Sequence, residues 1–449
     1  MTNLKKILVF VFKFIIFCIG FYLLNLIFAF ALKNDSTSYT RLIFHELHQQ
    51  KNIDVLICGA SHVSHDFYPA QADKILGKNT FCSGTPSQPI DATYAIIQEA
   101  VSQCPVQHIY LEMDFAVAND VVFKKRNGLR TNYLVSEYLN NKKLKFNYLK
   151  DASAPNLYLN SLLPLGKEKF IDLNPISIIK NLKSKLTGQY YKYDFSSAEN
   201  YVGKGCVMRT DIIENGTYCS DGEKPIAVKS IGEDYKNTVR KIVAFCEQNK
   251  IPLTFFSMPC SDFYLAAKGN YDEYYDFVKD FTSSMGYEYY DFNLCKEEFL
   301  YLEDCDFWDD NHLAKTGIMK FTKAFCDFFY GDYAYDDLAR EKSDWFYDSY
   351  SQKIKSQPAR LYGLVLNEIQ NDDGSLQTKI IPLINHGDRS TIAYEISAEL
   401  SDGTNVVIQQ KSANDIFSFP PKSQGKIKID AWFNGECLNH VEEYFNSSL

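Results

Sequence analysis

Residues 53–61 read Ile-Asp-Val-Leu-Ile-Cys-Gly-Ala-Ser, and this stretch decides how the chain is expected to fold. A short apolar run that ends in small residues is typical of a buried parallel strand followed by a tight turn. Similar patterns predict strands at 80–82, 106–113, 252–258 and 287–292, and helices at 88–102, 233–248, 271–284 and 317–330. This alternation predicts an α/β domain with a parallel sheet and helices on both faces.

The α/β pattern covers residues 51–331 and is interrupted by a long insert at about 115–225. A charged, aromatic linker is predicted at 332–358. Beyond it, short alternating strands are predicted at 361–369, 378–384, 391–400, 405–410 and 426–433. Turn signals separate several of these strands, so residues 359–449 are predicted to form a small β-sandwich domain.

The N-terminal 33 residues contain an almost uninterrupted apolar run from position 7 to position 32. About 20 apolar residues span a bilayer, so a transmembrane signal-anchor is predicted, followed by a stalk at 34–50. Lys5, Lys6 and Lys13 lie toward the N-terminus, which the positive-inside rule assigns to the cytoplasm. The rest of the chain is then extracytoplasmic at the cell membrane. The alternative is a signal peptide cleaved near Ala29-Phe30-Ala31.

Composition and charge exclude several classes of protein. The chain has 449 residues, of which 46% are hydrophobic, and a net charge of −9. Such a chain has enough apolar material for packed cores and is not disordered. The acidic total argues against a nucleic-acid partner, since such proteins need a basic face.

The 12 cysteines show no C-x-x-C pair, so they predict neither a zinc site nor a dense disulfide framework. Cys206 with Cys219 and Cys295 with Cys305 are close enough in sequence to form bridges. Buried free thiols are the alternative reading.

Three short segments could carry chemistry. The first is Gly59-Ala60-Ser61-His62, in which Ser61 follows a predicted strand and either exposes its hydroxyl or caps a helix. The second is the loop Ser83-Gly84-Thr85-Pro86-Ser87, in which Gly84 allows an unusual turn and Ser87 could cap a helix. The third is Asp309-Asp310-Asn311-His312. Its i, i+3 spacing lets Asp309, or alternatively Asp310, hold the His312 imidazole, although a solvated acidic loop has the same composition.

His62 and His65 also form an H-x-x-H pair. Since the sequence offers no third ligand nearby, we expect exposed helix histidines and no metal site.

The order and context of these segments resemble the SGNH (GDSL-type) hydrolase superfamily. Gly-Ala-Ser-His at 59–62, Ser-Gly-Thr-Pro-Ser-Gln at 83–88 and Asp-Asp-Asn-His-Leu-Ala-Lys-Thr-Gly at 309–317 carry the resemblance. It is closest to the membrane-anchored, extracytoplasmic branch that includes the D-alanyl-lipoteichoic acid biosynthesis protein and the alginate-type acetylation proteins. The resemblance covers about 51–330 and implies a flavodoxin-like, three-layer α/β domain.

The resemblance also implies residue roles. Ser61 would be the nucleophile, His312 the general base and then acid, and Asp309 the residue that orients it. Backbone N–H groups of Ser61 and Gly84 would form an oxyanion hole, with Asn119 a candidate third donor. Two departures are visible: the family's Gly-Asp-Ser-Leu is Gly-Ala-Ser-His here, and no clear oxyanion Asn block is present. No cofactor is implied.

The insert is strongly basic within an acidic chain. Residues 121–192 contain 14 Lys and Arg against 4 Asp and Glu, a net charge of +10, with interleaved tyrosines. We interpret the insert as a lid or groove wall for an anionic polymer or the lipid surface, in which Lys142, Lys143 and Lys145 contact substrate or membrane. A helical insertion with a solvated charged face is the alternative.

Together these features predict a serine-dependent acyltransferase or esterase that acts on acyl groups of a cell-envelope glycan or a teichoic-acid-like polymer. In some relatives of the branch, a membrane-bound O-acyltransferase supplies the acyl group. The second hypothesis is a catalytically inactive SGNH-like scaffold that binds glycan or such a partner.

Overall fold

The computed structural model describes residues 3–114, 130–166, 169–212, 232–268, 270–331, 342–370, 376–384, 389–433 and 435–446. The chain divides into two compact units. The first comprises 1–64, 77–207 and 232–254, and the second comprises 65–76, 208–231 and 255–449.

The described α-helices are α1 (Asn3–Leu32), α2 (Tyr39–Leu47), α3 (Ser61–Asp66), α4 (Pro69–Leu76), α5 (Ile90–Gln103), α6 (Arg130–Ser136), α7 (Lys142–Ala152), α8 (Tyr158–Leu162), α9 (Pro175–Leu186), α10 (Glu233–Asn249), α11 (Asp262–Lys268), α12 (Tyr271–Ser284), α13 (Lys315–Tyr330) and α14 (Tyr350–Ser356). The described strands are β1 (Val55–Cys58), β2 (Thr80–Cys82), β3 (Ile109–Glu112), β4 (Tyr201–Gly203), β5 (Cys206–Val207), β6 (Leu253–Ser257), β7 (Tyr289–Asp291), β8 (Leu361–Gln370), β9 (Leu376–Ile384), β10 (Ala393–Leu400), β11 (Asn405–Ser412), β12 (Ile416–Phe417), β13 (Gln424–Phe433) and β14 (Glu436–Asn446).

A five-stranded sheet with the order β2-β1-β3-β6-β7 confirms the predicted α/β organisation. Strand β1 pairs in parallel with β2 and β3, with Leu56 opposite Phe81 and Ile109, and β6 pairs in parallel with β7. Counted along the chain, the order is 2-1-3-4-5, which reverses direction at β1. In sheets of this kind, ligands bind beyond the carboxyl ends of the strands at the reversal, here those of β1 and β3.

The first unit is built on fully buried strands and an amphipathic helix. Every residue of β1, β2 and β3 is buried, as expected for continuous apolar runs in a parallel sheet. The buried residues of α10 recur at three- and four-residue spacing, with Tyr235, Val239 and Ile242 among them. The resulting apolar face explains why α10 packs on α5.

Aromatic rings dominate the α/β part of the second unit. The ring centroids of Phe67 and Phe325 lie 5.0 Å apart, and those of Phe292 and Phe321 lie 5.1 Å apart, both edge to face. Such pairs add to the stability that burial of their surface already provides.

The C-terminal region contains two antiparallel sheets that share one apolar core. Their orders are β11-β10-β13-β14 and β12-β9-β8. Leu364 and Ile380 from one sheet and Ile396 and Ile429 from the other belong to the same buried cluster. Two sheets facing each other across such a core fit the predicted β-sandwich. The short β12 and the final strand β14 were not predicted.

Helix α1 matches the apolar run found in the sequence. Within the described residues it is long and apolar enough to cross a membrane, since the apolar segment Lys5–Leu32 has 28 residues.

The described part of the insert is mainly helical, as predicted, but it also contains a small hairpin. Strand β4 pairs with β5 through a turn in which Gly205 has a φ of +84°. A Cβ on Gly205 would lie 1.8 Å from the carbonyl oxygen of Cys82, so only glycine fits where the hairpin meets β2.

Every cysteine that the structure describes is a free thiol. Cys295 is buried and Cys305 is exposed, and neither is bridged, so that candidate disulfide is wrong. Cys206 is a buried free thiol, while Cys219 lies outside the described residues.

Candidate active site

Ser61 is the first residue of α3, directly after the turn that follows β1, and it is half-buried. The turn depends on Gly59. A Cβ at this position would lie 2.3 Å from Glu112 Oε2 and 2.6 Å from the side chain of Val63. A side chain at position 59 would therefore clash with its surroundings, and only glycine fits between β1 and α3. The turn places Ser61 beyond the carboxyl end of β1.

The loop after β2 approaches the Ser61 turn closely at Gly84. Gly84 does not have the positive φ of an unusual turn, and the close approach is what excludes a larger residue. A Cβ on Gly84 would lie 2.1 Å from the Ala60 carbonyl oxygen and 2.9 Å from the Ser64 nitrogen. Ser87, considered as a helix cap, does not cap α5, because Pro89 is the N-cap residue and Ser87 has a φ of +46°. The third oxyanion candidate, Asn119, lies outside the described residues.

We expect Gly84→Ala to destabilise the protein by about 1–3 kcal/mol, because backbone atoms of the Ser61 turn cannot move aside as a flexible side chain can. A lowered midpoint of thermal unfolding would show it. Gly20→Ala is a matched control, since a Cβ there meets nothing within 4 Å and lies in a helix, where alanine is favoured over glycine. Equal unfolding midpoints for Gly84→Ala and the parent protein would contradict the close approach.

A buried ion pair that the sequence reading missed lies beneath this turn. Glu112 ends β3 and is 2% exposed. Its Oε1 lies 2.9 Å from His62 Nδ1, and its Oε2 accepts a hydrogen bond from the Ala60 nitrogen at 3.3 Å. Burial raises the pKa of Glu112, while the attraction and hydrogen bond of His62 oppose that rise. The pair thus fixes the residues on both sides of Ser61.

The prediction of exposed helix histidines is wrong, since His62 and His65 are only 3% and 8% exposed. They are buried because α3 begins at the sheet rather than on the surface. The donor set that the structure brings together contains His62 but not His65. His62, Glu112 and Asp114 place one ligand atom each within 4.8 Å of one another, which is a donor set that could hold a cation. The sequence feature that could have indicated this donor set is the pair Glu112 and Asp114, two carboxylates spaced i, i+2 at the end of a predicted strand.

Asp309 and His312 are brought together in a tight turn before α13. His312 Nδ1 lies 2.9 Å from both carboxylate oxygens of Asp309, and the His312 backbone nitrogen donates to Asp309 Oδ1 at 2.7 Å. Burial raises the pKa of Asp309, but these hydrogen bonds and the His312 charge outweigh it, so the pKa is lowered overall. Asp309, and not Asp310, is therefore the carboxylate that holds the imidazole.

Two further rings lie beside His312 in the second unit, and the sequence analysis did not predict these contacts. The Trp308 ring stacks on His312 with centroids 5.4 Å apart, and the His65 ring lies 5.1 Å from His312. The Arg209 guanidinium lies 4.3 Å from the Trp308 ring centroid. The imidazole that Asp309 holds is thus also in contact with two aromatic rings, one of which carries the Arg209 guanidinium.

The three lysines proposed for substrate or membrane contact differ in their placement. All three lie on α7, after the N-cap residue Asn141. Lys142 and Lys145 line a cavity beside α1, whereas Lys143 is exposed and does not line it.

The sequence matches no protein-family profile and no curated protein. The resemblance to the SGNH superfamily therefore rests on the motif residues and their order.

Proposed function

We propose that the chain is a membrane-anchored, extracytoplasmic serine acyltransferase or esterase of the SGNH type. Ser61 attacks the carbonyl carbon of an acyl ester, and His312 takes the proton from the serine hydroxyl. The ester C–O bond then breaks, and His312 returns the proton to the departing alcohol, while Asp309 keeps the imidazole in the required tautomer. The acyl group then passes to a hydroxyl of a cell-envelope glycan or teichoic-acid-like polymer, or to water. The bilayer that α1 crosses, with the N-terminus in the cytoplasm, and a membrane-bound O-acyltransferase are the partners that this role implies.

The observation that carries the proposal is the contact of His312 Nδ1 with both oxygens of the Asp309 carboxylate. A carboxylate in this position stabilises the imidazolium that forms during proton transfer and directs Nε2 toward the acceptor role. A histidine without such a carboxylate partner carries no catalytic implication.

The geometry of α3 supports Ser61 as the nucleophile. Ser61 and His65 are spaced i, i+4 on this helix, a spacing that places two side chains on one face. The His65 ring lies 5.1 Å from the His312 ring, and Asp66 at the end of α3 accepts a hydrogen bond from the Leu313 nitrogen at 2.7 Å. The helix face that carries Ser61 is thus the face that carries His65.

The flavodoxin-like order of the sheet is consistent with the same assignment. Ser61 follows β1 and Gly84 follows β2, as the nucleophile and the second oxyanion donor do in the family that the motifs resemble. Oxyanion donors typically contribute about 3–4 kcal/mol each to the transition state. The experiment that tests the proposal is covalent labelling of the full-length protein with a fluorophosphonate. A label on the peptide that contains Ser61 supports the enzyme, and a protein that takes no label favours the inactive scaffold.

The pH profile of ester turnover tests His312 as the base. The lowered pKa of Asp309 keeps that carboxylate ionised throughout the range above pH 4, so it does not titrate with the histidine. Activity should therefore rise with pH between about 5 and 8, the range in which histidine titrates, as the base loses a single proton. Asp309→Asn should lower the rate at every pH, by about 10⁴-fold, because the tautomer is no longer held. A flat profile between about pH 5 and 8 would count against His312.

A further inference from the structure

A cavity of about 630 Å³ opens beside the C-terminal part of α1, within the first unit. One wall is apolar and comes from α1 itself, through Tyr22, Leu26 and Phe30. The opposite side carries positive charge. Five lysines line the cavity: Lys33, Lys142, Lys145, Lys169 and Lys185.

Two carboxylates line the same cavity, and both are already engaged. Glu137 forms an ion pair with Lys33 and lies 3.6 Å from Lys169. Asp35 accepts hydrogen bonds of 2.7 Å from the hydroxyls of Tyr138 and Tyr190. Among the residues that the structure describes, five lysines against two carboxylates give the lining a net charge of +3, so the cavity favours an anion.

One of the lysines is held deep in the protein. Lys169 is 2% exposed, and its ammonium group donates to the carbonyls of Ser161 and Leu163 at 2.6 and 2.8 Å. Burial lowers the pKa of Lys169 to about 8, and Lys33 and Lys145 act in the same direction against the opposing effect of Glu137. Because like charges are gathered here away from water, a bound anion would stabilise the cluster.

The end of α1 is fastened to the insert at this place. Asn181 Nδ2 donates to the carbonyl of Ala31, and Lys185 Nζ donates to that of Phe30, each at 2.8 Å. These contacts satisfy carbonyls that a helix end would otherwise leave without a partner. The lysine-lined cavity is therefore held beside the C-terminal part of α1, where its apolar span ends.

Large apolar side chains of the insert are exposed on the segments near the end of α1. They belong to α8, to α9 and to the segment just before α9: Leu159, Leu162, Leu173, Ile176, Ile179 and Leu186. Exposure of such side chains to water is unfavourable, whereas they can be buried at the boundary between the lipid headgroups and the acyl chains. An apolar patch and a basic cavity at one end of a membrane-spanning helix together match an amphipathic anion.

We infer that this cavity binds the phosphate-bearing headgroup of an anionic membrane phospholipid, with the acyl chains lying along α1. Lys142, Lys145 and Lys169 surround the headgroup, while Leu26 and Phe30 contact the first carbons of the chains. The inference requires α1 to lie in a membrane, but it does not depend on acyl transfer at Ser61.

The test uses the full-length protein in a neutral detergent and native mass spectrometry, which counts lipid molecules bound to the protein. We expect phosphatidylglycerol to bind at least tenfold more tightly than phosphatidylcholine of the same chain length. Lys142→Ala and Lys145→Ala should each weaken phosphatidylglycerol binding by about fivefold, the usual effect of one lysine near an anionic lipid. Lys142 is exposed at the N-terminus of α7, so its removal leaves the fold intact.

Lys143→Ala is the matched control, since this lysine lies on the same helix and does not line the cavity. It should change binding by less than twofold. An equal loss for Lys143→Ala would overturn the inference and indicate general surface charge. Equal binding of the two lipids would also overturn it, as would inorganic phosphate or glycerol phosphate displacing the lipid at equal concentration. Ser61→Ala should bind phosphatidylglycerol like the parent protein, so that a failure of the catalytic proposal is separate from this result.

Discussion

Ser61→Ala is expected to abolish covalent labelling by a fluorophosphonate and to lower the turnover of an acyl-ester substrate by a factor on the order of 10⁶. The substitution removes only the hydroxyl oxygen that would form the acyl bond. Alanine is compatible with a helix N-terminus, so α3 and the turn before it should keep their structure. Labelling is measured by mass spectrometry of the peptide that contains residue 61, with circular dichroism to verify the fold.

Ser64→Ala provides the matched control on the same helix. Its Oγ donates to the Ser61 carbonyl at 2.9 Å, so its loss removes one hydrogen bond, with a net effect of about 1 kcal/mol on stability, and leaves the Ser61 hydroxyl in place. We expect the Ser64→Ala protein to be labelled. Undiminished labelling of Ser61→Ala, or a label found on another serine, would refute the assignment of the nucleophile. If the label is lost in Ser61→Ala and kept in Ser64→Ala, mass analysis of wall polymers from cells that carry Ser61→Ala would identify the acyl group.

Glu112→Ala is expected to lower the free energy of unfolding by about 3–5 kcal/mol, since it leaves a buried partner of an ion pair without its counterpart. His62 Nδ1 would lose its contact at 2.9 Å, and the Ala60 nitrogen would lose its acceptor. The loss should appear as a lower midpoint in urea unfolding of the full-length protein. Because the pair fixes the Ser61 turn, labelling of Ser61 should fall in parallel.

Two variants make this result specific. Glu112→Gln keeps an acceptor for the Ala60 nitrogen and should be destabilised less than Glu112→Ala. Glu199→Ala removes an exposed carboxylate and should change stability by no more than about 0.5 kcal/mol. If Glu112→Ala unfolds at the same urea concentration as the parent protein, the buried pair does not support the turn.

Local patterns in the sequence were sufficient to predict most strands of the five-stranded sheet. The strand at 53–58 was recognisable because a buried parallel strand is apolar at every position, and β1 occupies Val55–Cys58. The helix predicted at 271–284 coincides with α12 because its buried residues repeat every three to four positions. The hairpin β4–β5 was missed, since its strands have three and two residues and show no periodicity.

The Asp309–His312 contact was predictable because both residues lie within one turn, so their distance depends on local geometry. The residues that lie around this pair could not be predicted. Trp308 is adjacent in sequence, but Arg209 and His65 come from distant parts of the chain. No spacing rule connects such residues, because packing of whole elements decides which of them meet.

Periodicity, length and spacing over a few residues predicted the alternation of strands and helices, the apolar N-terminal helix, and the contact of Asp309 with His312. The burial of His62 against Glu112, and the position of Lys145 with Lys169 beside α1 while Lys143 stays exposed, are visible only in the folded chain. The physical reason is that burial and the grouping of charges depend on which surfaces come together, and the residues involved are separated by 50 positions in the first case and 24 in the second.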